Sequence, residues 1–118
     1  MVNHTILVVD DDADIRETLR EVLKHSGHEV VTAGNGLEAL RILRDGLAPC
    51  LVLLDLMMPI MDGYEFLEVQ RNDPDLSKYR IAVITAGSVV DDGRTGGAPL
   101  LRKPLGLKGL MALINQHC

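Results

Sequence analysis

Three short runs of the chain are apolar but for the leading Thr5, and each stops on a polar residue: "TILVV" (5–9) before Asp10, "LVLL" (51–54) before Asp55, and "IAVI" (81–84) before Thr85. A strand that is apolar on both sides of its pleat needs cover on both faces, the condition of a parallel sheet held between two helical layers. The segments between the runs supply that cover. "DIRETLREVLKHSG" carries Ile15, Leu19, Val22 and Leu23 at helical spacing, with aspartate at its entry and Gly27 where a left-handed cap belongs. The spacing predicts a second helix over 36–46, with Leu37, Leu40 and Leu43 as its stripe and Gly46 as its stop, and a third over 62–72 on Tyr64, Leu67 and Phe66. A strand is predicted at 28–33, a fifth at 99–103, and a last helix at 107–116. Strands that each run into a helical stretch make an open α/β fold.

One interval breaks the rhythm. "AGSVVDDGRTGGAP" (86–99) holds four glycines and a proline but no apolar stripe, so residues 86–98 are expected to form a loop or a single helical turn. The helix after the fourth strand is then shortened or missing.

At 118 residues and 47% hydrophobic content the chain has room for one core and not two. Its net charge of −5, with lysine and arginine scattered among 17 acidic residues, argues against nucleic acid or an anionic membrane surface as a partner. "MVNHTILVVD" lacks the basic start and the long apolar run of a signal peptide, and no stretch is long enough to span a membrane. Cys50 and Cys118 have neither the dense spacing of a disulfide scaffold nor zinc-ligand neighbours, which reads as two reduced thiols of a cytoplasmic protein.

In open α/β sheets, sites lie beyond the carboxyl ends of the strands. Those ends carry Asp10, Asp11 and Asp12 after the first strand, Asp55 on the third, Thr85 on the fourth and Lys103 on the fifth. Two or three carboxylates and a carbonyl suit Mg²⁺, a hard cation that keeps several waters and binds phosphate oxygens. An aspartate can be the nucleophile of phosphoryl transfer, with a lysine and a hydroxyl holding the other phosphoryl oxygens. Asp55 is thus expected to accept a phosphoryl group. Asp12 and Asp14 fit a plainer role as the acidic entry of a helix.

With "ILVVDDDADIR", "LVLLDLMMPIMDG", "VITA" and "KP" in that order, the chain resembles a receiver domain of the two-component response-regulator family, of the stand-alone, CheY-like kind. The resemblance implies an open, doubly wound, five-stranded parallel sheet of flavodoxin-like form, and a single receiver domain over 1–118 with no output domain. It implies that Asp55 is the phospho-acceptor, that Asp11 ligates Mg²⁺ directly and Asp10 less directly, and that the main-chain carbonyl of Met57 is a further ligand. Thr85 and Lys103 would hold the phosphoryl group, Pro104 would follow a cis bond, and Pro59 and Gly63 would shape the loop after the acceptor. The protein would be no enzyme beyond catalysing its own phosphorylation and dephosphorylation. Its partners would be a histidine kinase or histidine phosphotransfer protein, which supplies the histidine, and an unknown downstream protein.

The sequence departs from the family at two points, since Leu100 stands where strand five usually has an aromatic residue and Leu105 where phenylalanine usually follows "KP". These departures leave the phosphorylation chemistry intact and bear on the usual threonine–aromatic switch; the alternative reading is a degenerate receiver that binds without being phosphorylated. A hydrolase of the haloacid dehalogenase class would need an aspartate where Met57 stands.

Overall fold

The computed structural model describes residues 4–85, 98–103 and 106–118. Five parallel strands, Thr5–Val9 (β1), Glu29–Ala33 (β2), Leu51–Asp55 (β3), Ile81–Thr85 (β4) and Leu100–Arg102 (β5), form one sheet in the order β2-β1-β3-β4-β5. Four helices are present among these residues: Ala13–His25 (α1), Gly36–Arg44 (α2), Gly63–Asn72 (α3) and Leu107–His117 (α4). The chain leaves β1 toward one edge and returns to β3 on the other side. The reversal point therefore lies between β1 and β3, where an open α/β sheet forms its crevice.

The pleat sorts the apolar runs onto two faces. Ile6, Val8, Leu51, Leu53, Ala82 and Ile84 pack with Leu19 and Leu23 of α1 and with Leu110 and Ile114 of α4. Leu7, Val9, Val52, Leu54 and Val83 pack on the other face with Leu40 and Leu43 of α2 and Phe66 and Leu67 of α3. The three central strands are buried along their length, apart from the half-buried Thr5 at the head of β1. This is the two-sided cover that the unbroken apolar runs demand.

Local signals set the helix ends. Asp12 caps α1 by accepting N–H bonds from Asp14 at 2.9 Å and Ile15 at 3.3 Å, the helix-entry role expected of it. Asn35 caps α2, and Asp62 with Glu65 forms a reciprocal capping box on α3. Gly27 takes the left-handed conformation just past α1, with φ at 88°.

The structure corrects several expectations. Leu37 lies off the buried stripe of α2 and is 42% exposed, because Ala39 fills the inward position between Gly36 and Leu40. On α3, Phe66 is fully buried while Tyr64 is only half-buried. Cys50 and Cys118 are not separate thiols: they are joined in a disulfide across 68 residues, with Cα atoms 5.6 Å apart. Sequence spacing could not reveal this, since only the packing of α4 along the sheet brings its carboxyl end to the start of β3. The expected loop at 86–98 falls, except for Ala98, outside the described residues, as do Pro104 and its peptide bond and Leu105. Pro99 is described, and its carbonyl accepts the N–H of Val83 at 2.7 Å as the chain enters β5.

The β3–α3 connection is pinned at both ends. Gly63 N–H donates to the carbonyl of Leu56 at 2.9 Å, and Gly36 N–H donates to the carbonyl of Met61 at 2.9 Å. A Cβ on Gly63 would stand against the Asp55 carbonyl and 2.7 Å from the Leu56 Cα, and this is backbone that cannot swing aside. Gly63→Ala is accordingly expected to cost about 1–3 kcal/mol by overpacking, read as a lower urea midpoint at unchanged slope. An unchanged midpoint would contradict the close approach.

Candidate functional site

The site begins where β1 and β3 end. Val9 pairs with Leu54, so one residue further along the register Asp10 stands beside Asp55. Both share the pleat side of Ile6, Val8, Leu51 and Leu53. Their carboxylates are nearly sealed from solvent, with Asp10 at 1% and Asp55 at 4% exposure, whereas Asp11 is exposed. One oxygen from each of Asp10, Asp11 and Asp55 lies within 4.8 Å of the others.

Such crowding of like charge needs compensation. Lys103, immediately past β5, places its Nζ 2.9 Å from Asp10 Oδ2 and 3.6 Å from Asp55 Oδ2. Burial disfavours the ammonium charge, but the bond to Asp10 and the charges of Asp10 and Asp55 outweigh it, so the Lys103 pKa is raised. The Lys103 N–H donates to the Thr85 carbonyl at 2.8 Å, which fixes the lysine backbone to the end of β4.

Asp10 is held by more than Lys103. Its Oδ1 accepts the Asp12 N–H at 2.9 Å, and its carbonyl accepts Arg16 Nη1 at 2.7 Å. The residue that caps α1 thus also orients the buried carboxylate, and Arg16 ties the first turn of α1 to the end of β1. Sequence reasoning missed Arg16, since a basic residue in a helical stretch otherwise reads as a solvated surface group.

Asp55 accepts one long bond, from the Met57 N–H at 3.4 Å. Its carboxyl is raised from 3.8 to about 6, first by burial and then by the charge of Asp10, with Lys103 and the Met57 N–H pulling it down and Asp11 adding a smaller upward push. Thr85 is fully buried, and its hydroxyl has no hydrogen-bond partner among the described residues. A buried hydroxyl left unpaired costs about 1–3 kcal/mol, and an incoming acceptor oxygen would recover it. The hydroxyl lies on the strand beside β3, one residue past the Asp55–Ile84 pair.

The structure therefore brings together Asp10, Asp11, Asp55 and Lys103, with Thr85 at the adjoining strand end and Met57 two residues beyond Asp55. Hard oxygen donors on one open side and a fixed ammonium on the other fit a divalent cation of the Mg²⁺ kind and a phosphoryl group. Around them the β3–α3 loop exposes Met57 at 61% and Ile60 at 76%, while Met58 and Met61 pack onto the core. Ile60 holds φ at 69°, an uncommon conformation for a β-branched residue.

Comparison with known proteins agrees with this geometry. The family description "Response regulator receiver domain" matches residues 6–115. The chain belongs to the response-regulator receiver domain family, the signalling domain of two-component systems. It is similar to "Probable transcriptional regulator ycf27" of Porphyra purpurea, 47% identical over 91 residues that cover 77% of this chain and 36% of that protein. It is also similar to "DNA-binding response regulator MtrA" of Mycobacterium tuberculosis, 40% identical over 93% of this chain and 48% of that one. The chain thus spans about half or less of these two relatives. Among solved structures it resembles chemotaxis protein CheY4 of Vibrio cholerae, with TM-score 0.86 and 27% identity over 99% of this chain and 100% of that one. It also resembles response regulator TrrA of Thermotoga maritima in complex with Mg²⁺ and BeF, with TM-score 0.86 and 34% identity over 97% and 98% of the two chains.

The raised carboxyl makes stability depend on pH in a defined direction. Folded Asp55 holds its proton more tightly than the unfolded chain does, so this stabilisation is complete below pH 3.8 and is lost as pH rises through about 6. In metal-free protein at pH 8 the ionised group costs on the order of 2–3 kcal/mol. Asp55→Asn removes that charge and is expected to raise the urea stability of the EDTA-treated protein by this order at pH 8 and by little at pH 4. Equal gains at both pH values would contradict the assignment.

Proposed function

We propose that this domain accepts a phosphoryl group on Asp55 from a phosphohistidine of a histidine kinase or histidine phosphotransfer protein, with Mg²⁺ bound at Asp10, Asp11, Asp55 and the Met57 carbonyl. The observation that carries the reading is Lys103 set between Asp10 and Asp55, with the three carboxylates inside 4.8 Å. A carboxylate cluster alone would serve a metal; the shared ammonium adds a place for a phosphoryl oxygen.

In this reading an Asp55 carboxylate oxygen attacks phosphorus, the bond from phosphorus to the donor imidazole nitrogen breaks, and the imidazole leaves with the bonding pair. The product is an acyl phosphate. When bound, Mg²⁺ supplies charge neutralisation on the phosphoryl oxygens. Lys103 moves its second contact from Asp55 Oδ2 to a phosphoryl oxygen while keeping Asp10, and the Thr85 hydroxyl donates to another. Burial of Asp55 strips water from the nucleophile.

Receiver domains interact with histidine kinases, and that class of partner is the natural donor here. The domain is proposed to work in the cytoplasm and to signal by binding a downstream protein. No helix among the described residues is long and apolar enough to cross a membrane. DNA binding belongs by name to the relative MtrA, in a chain about twice as long, and is not carried over.

Incubation with acetyl phosphate and Mg²⁺ is expected to add the mass of one phosphoryl group to the intact protein. The gain should be lost with EDTA and in Asp55→Asn, and reduced at least tenfold in Asp11→Ala. An unchanged mass in folded parent protein with millimolar Mg²⁺ would contradict phosphoryl acceptance and favour a receiver that acts by binding alone.

A further inference from the structure

The helix α4 differs from the other three in how it is held. Its N-cap is Gly106, which offers no side-chain bond, and its first turn has no acidic residue to meet the helix dipole. Gly109 lies inside it, and of its eleven residues only Leu110 and Ile114 are buried. By contrast Asp12, Asn35 and Asp62 each cap their helices with side-chain oxygens. A helix of this length has little stability of its own and depends on its packing.

Its far end is tied covalently. Cys118, the C-cap of α4, is bonded to Cys50, the residue before β3, across a loop of 68 residues. Both cysteines are half-buried and so within reach of small thiols. The Cys50 sulfur also lies 3.2 Å from the Thr5 carbonyl. A disulfide sulfur has no hydrogen to donate, so this contact becomes a hydrogen bond only when the pair is reduced. The dithiol form has an acceptor waiting for one of its two thiols, and neither redox state leaves Cys50 badly placed.

We infer that Cys50 and Cys118 form a reversible redox site that clamps α4 to the sheet: oxidised, it holds the helix down; reduced, it lets the helix loosen from the face of β1, β3 and β4. The exchange balances with a small thiol as co-reactant. A thiolate RS⁻ attacks one sulfur, the protein S–S bond breaks, and the released cysteine thiolate takes a proton. A second RS⁻ then displaces the remaining cysteine sulfur, giving RSSR and two protein thiols, and oxidised glutathione drives the reverse. The site lies at the amino end of β3, opposite the carboxylate cluster at its carboxyl end, so the phosphoryl pocket should not feel the exchange directly. Loosening would expose Leu110 and Ile114 and uncover the sheet residues of the same core, Ala82 and Ile84 among them. Redox state would therefore alter the surface this domain offers to partners.

The inference does not rest on phosphoryl acceptance, and its test contains no phosphate donor. The folded protein is equilibrated with glutathione over a range of reduced-to-oxidised ratios, free thiols are counted, and hydrogen exchange is followed by peptide. Two thiols should appear as the ratio rises, without denaturant. Exchange across 107–117 should quicken at least tenfold while β1 and β3 stay protected, and the melting temperature should fall by about 10–20 °C, the scale expected for opening a loop of this length. Cys118→Ser should show the reduced exchange pattern in 107–117 at every thiol ratio. A pair that resists reduction until the protein is denatured would overturn the site. Unchanged protection in 107–117, or protection lost equally throughout the sheet, would overturn the clamp.

Discussion

Three carboxylates held within reach of one another, two of them buried, form the constraint on which the rest of the structure turns. In isolation such a group would ionise only partly or drive its members apart. The fold prevents separation by placing Asp10 just past the end of β1 and Asp55 at the end of β3, neighbouring strands whose buried hydrophobic contacts cannot slide. A shift of one residue in either strand would turn its whole apolar set to the opposite face. The hydrophobic core thus does mechanical work, keeping like charges in register.

The compensation is local and incomplete. Lys103 neutralises one charge and favours Asp10 by its shorter contact, which leaves Asp55 with its proton held to about pH 6. Arg16 and the Asp12 N–H fix Asp10 from its carbonyl and its other oxygen. Among the described residues Asp55 has the long Met57 contact besides the lysine. Of the two buried carboxylates, Asp10 is held by more of the described groups than Asp55, the division that the proposed roles of ligand and nucleophile call for. The buried Thr85 hydroxyl, without a hydrogen-bond partner among the described residues, fits the same picture.

Much of this was legible in the sequence, for a simple reason. Unbroken apolar runs can sit only in strands covered on both faces, and polar residues at their carboxyl ends must then collect along one edge, so Asp10, Asp55, Thr85 and Lys103 could be assembled without coordinates. Side-chain direction within helices was less legible. Leu37 looked inward by spacing, yet the short Ala39 takes the core position, and Phe66 outranks Tyr64 because the sheet face beside it is wholly apolar. Contacts between distant segments were invisible. The Cys50–Cys118 bond and the Arg16 contact depend on where α4 and α1 come to rest against the sheet, which periodicity alone does not encode.

Everything above turns on Asp55, a carboxyl held above its ordinary range first by burial and then by the charge of Asp10. The direct measurement is the titration of the Asp55 carboxyl carbon by NMR in metal-free protein and again with saturating Mg²⁺. A midpoint near 6 is expected without metal, as burial and the Asp10 charge require, with a clear fall once the cation is bound. A midpoint near the ordinary aspartate value of 3.8 in both conditions, with no response to Mg²⁺, would contradict it.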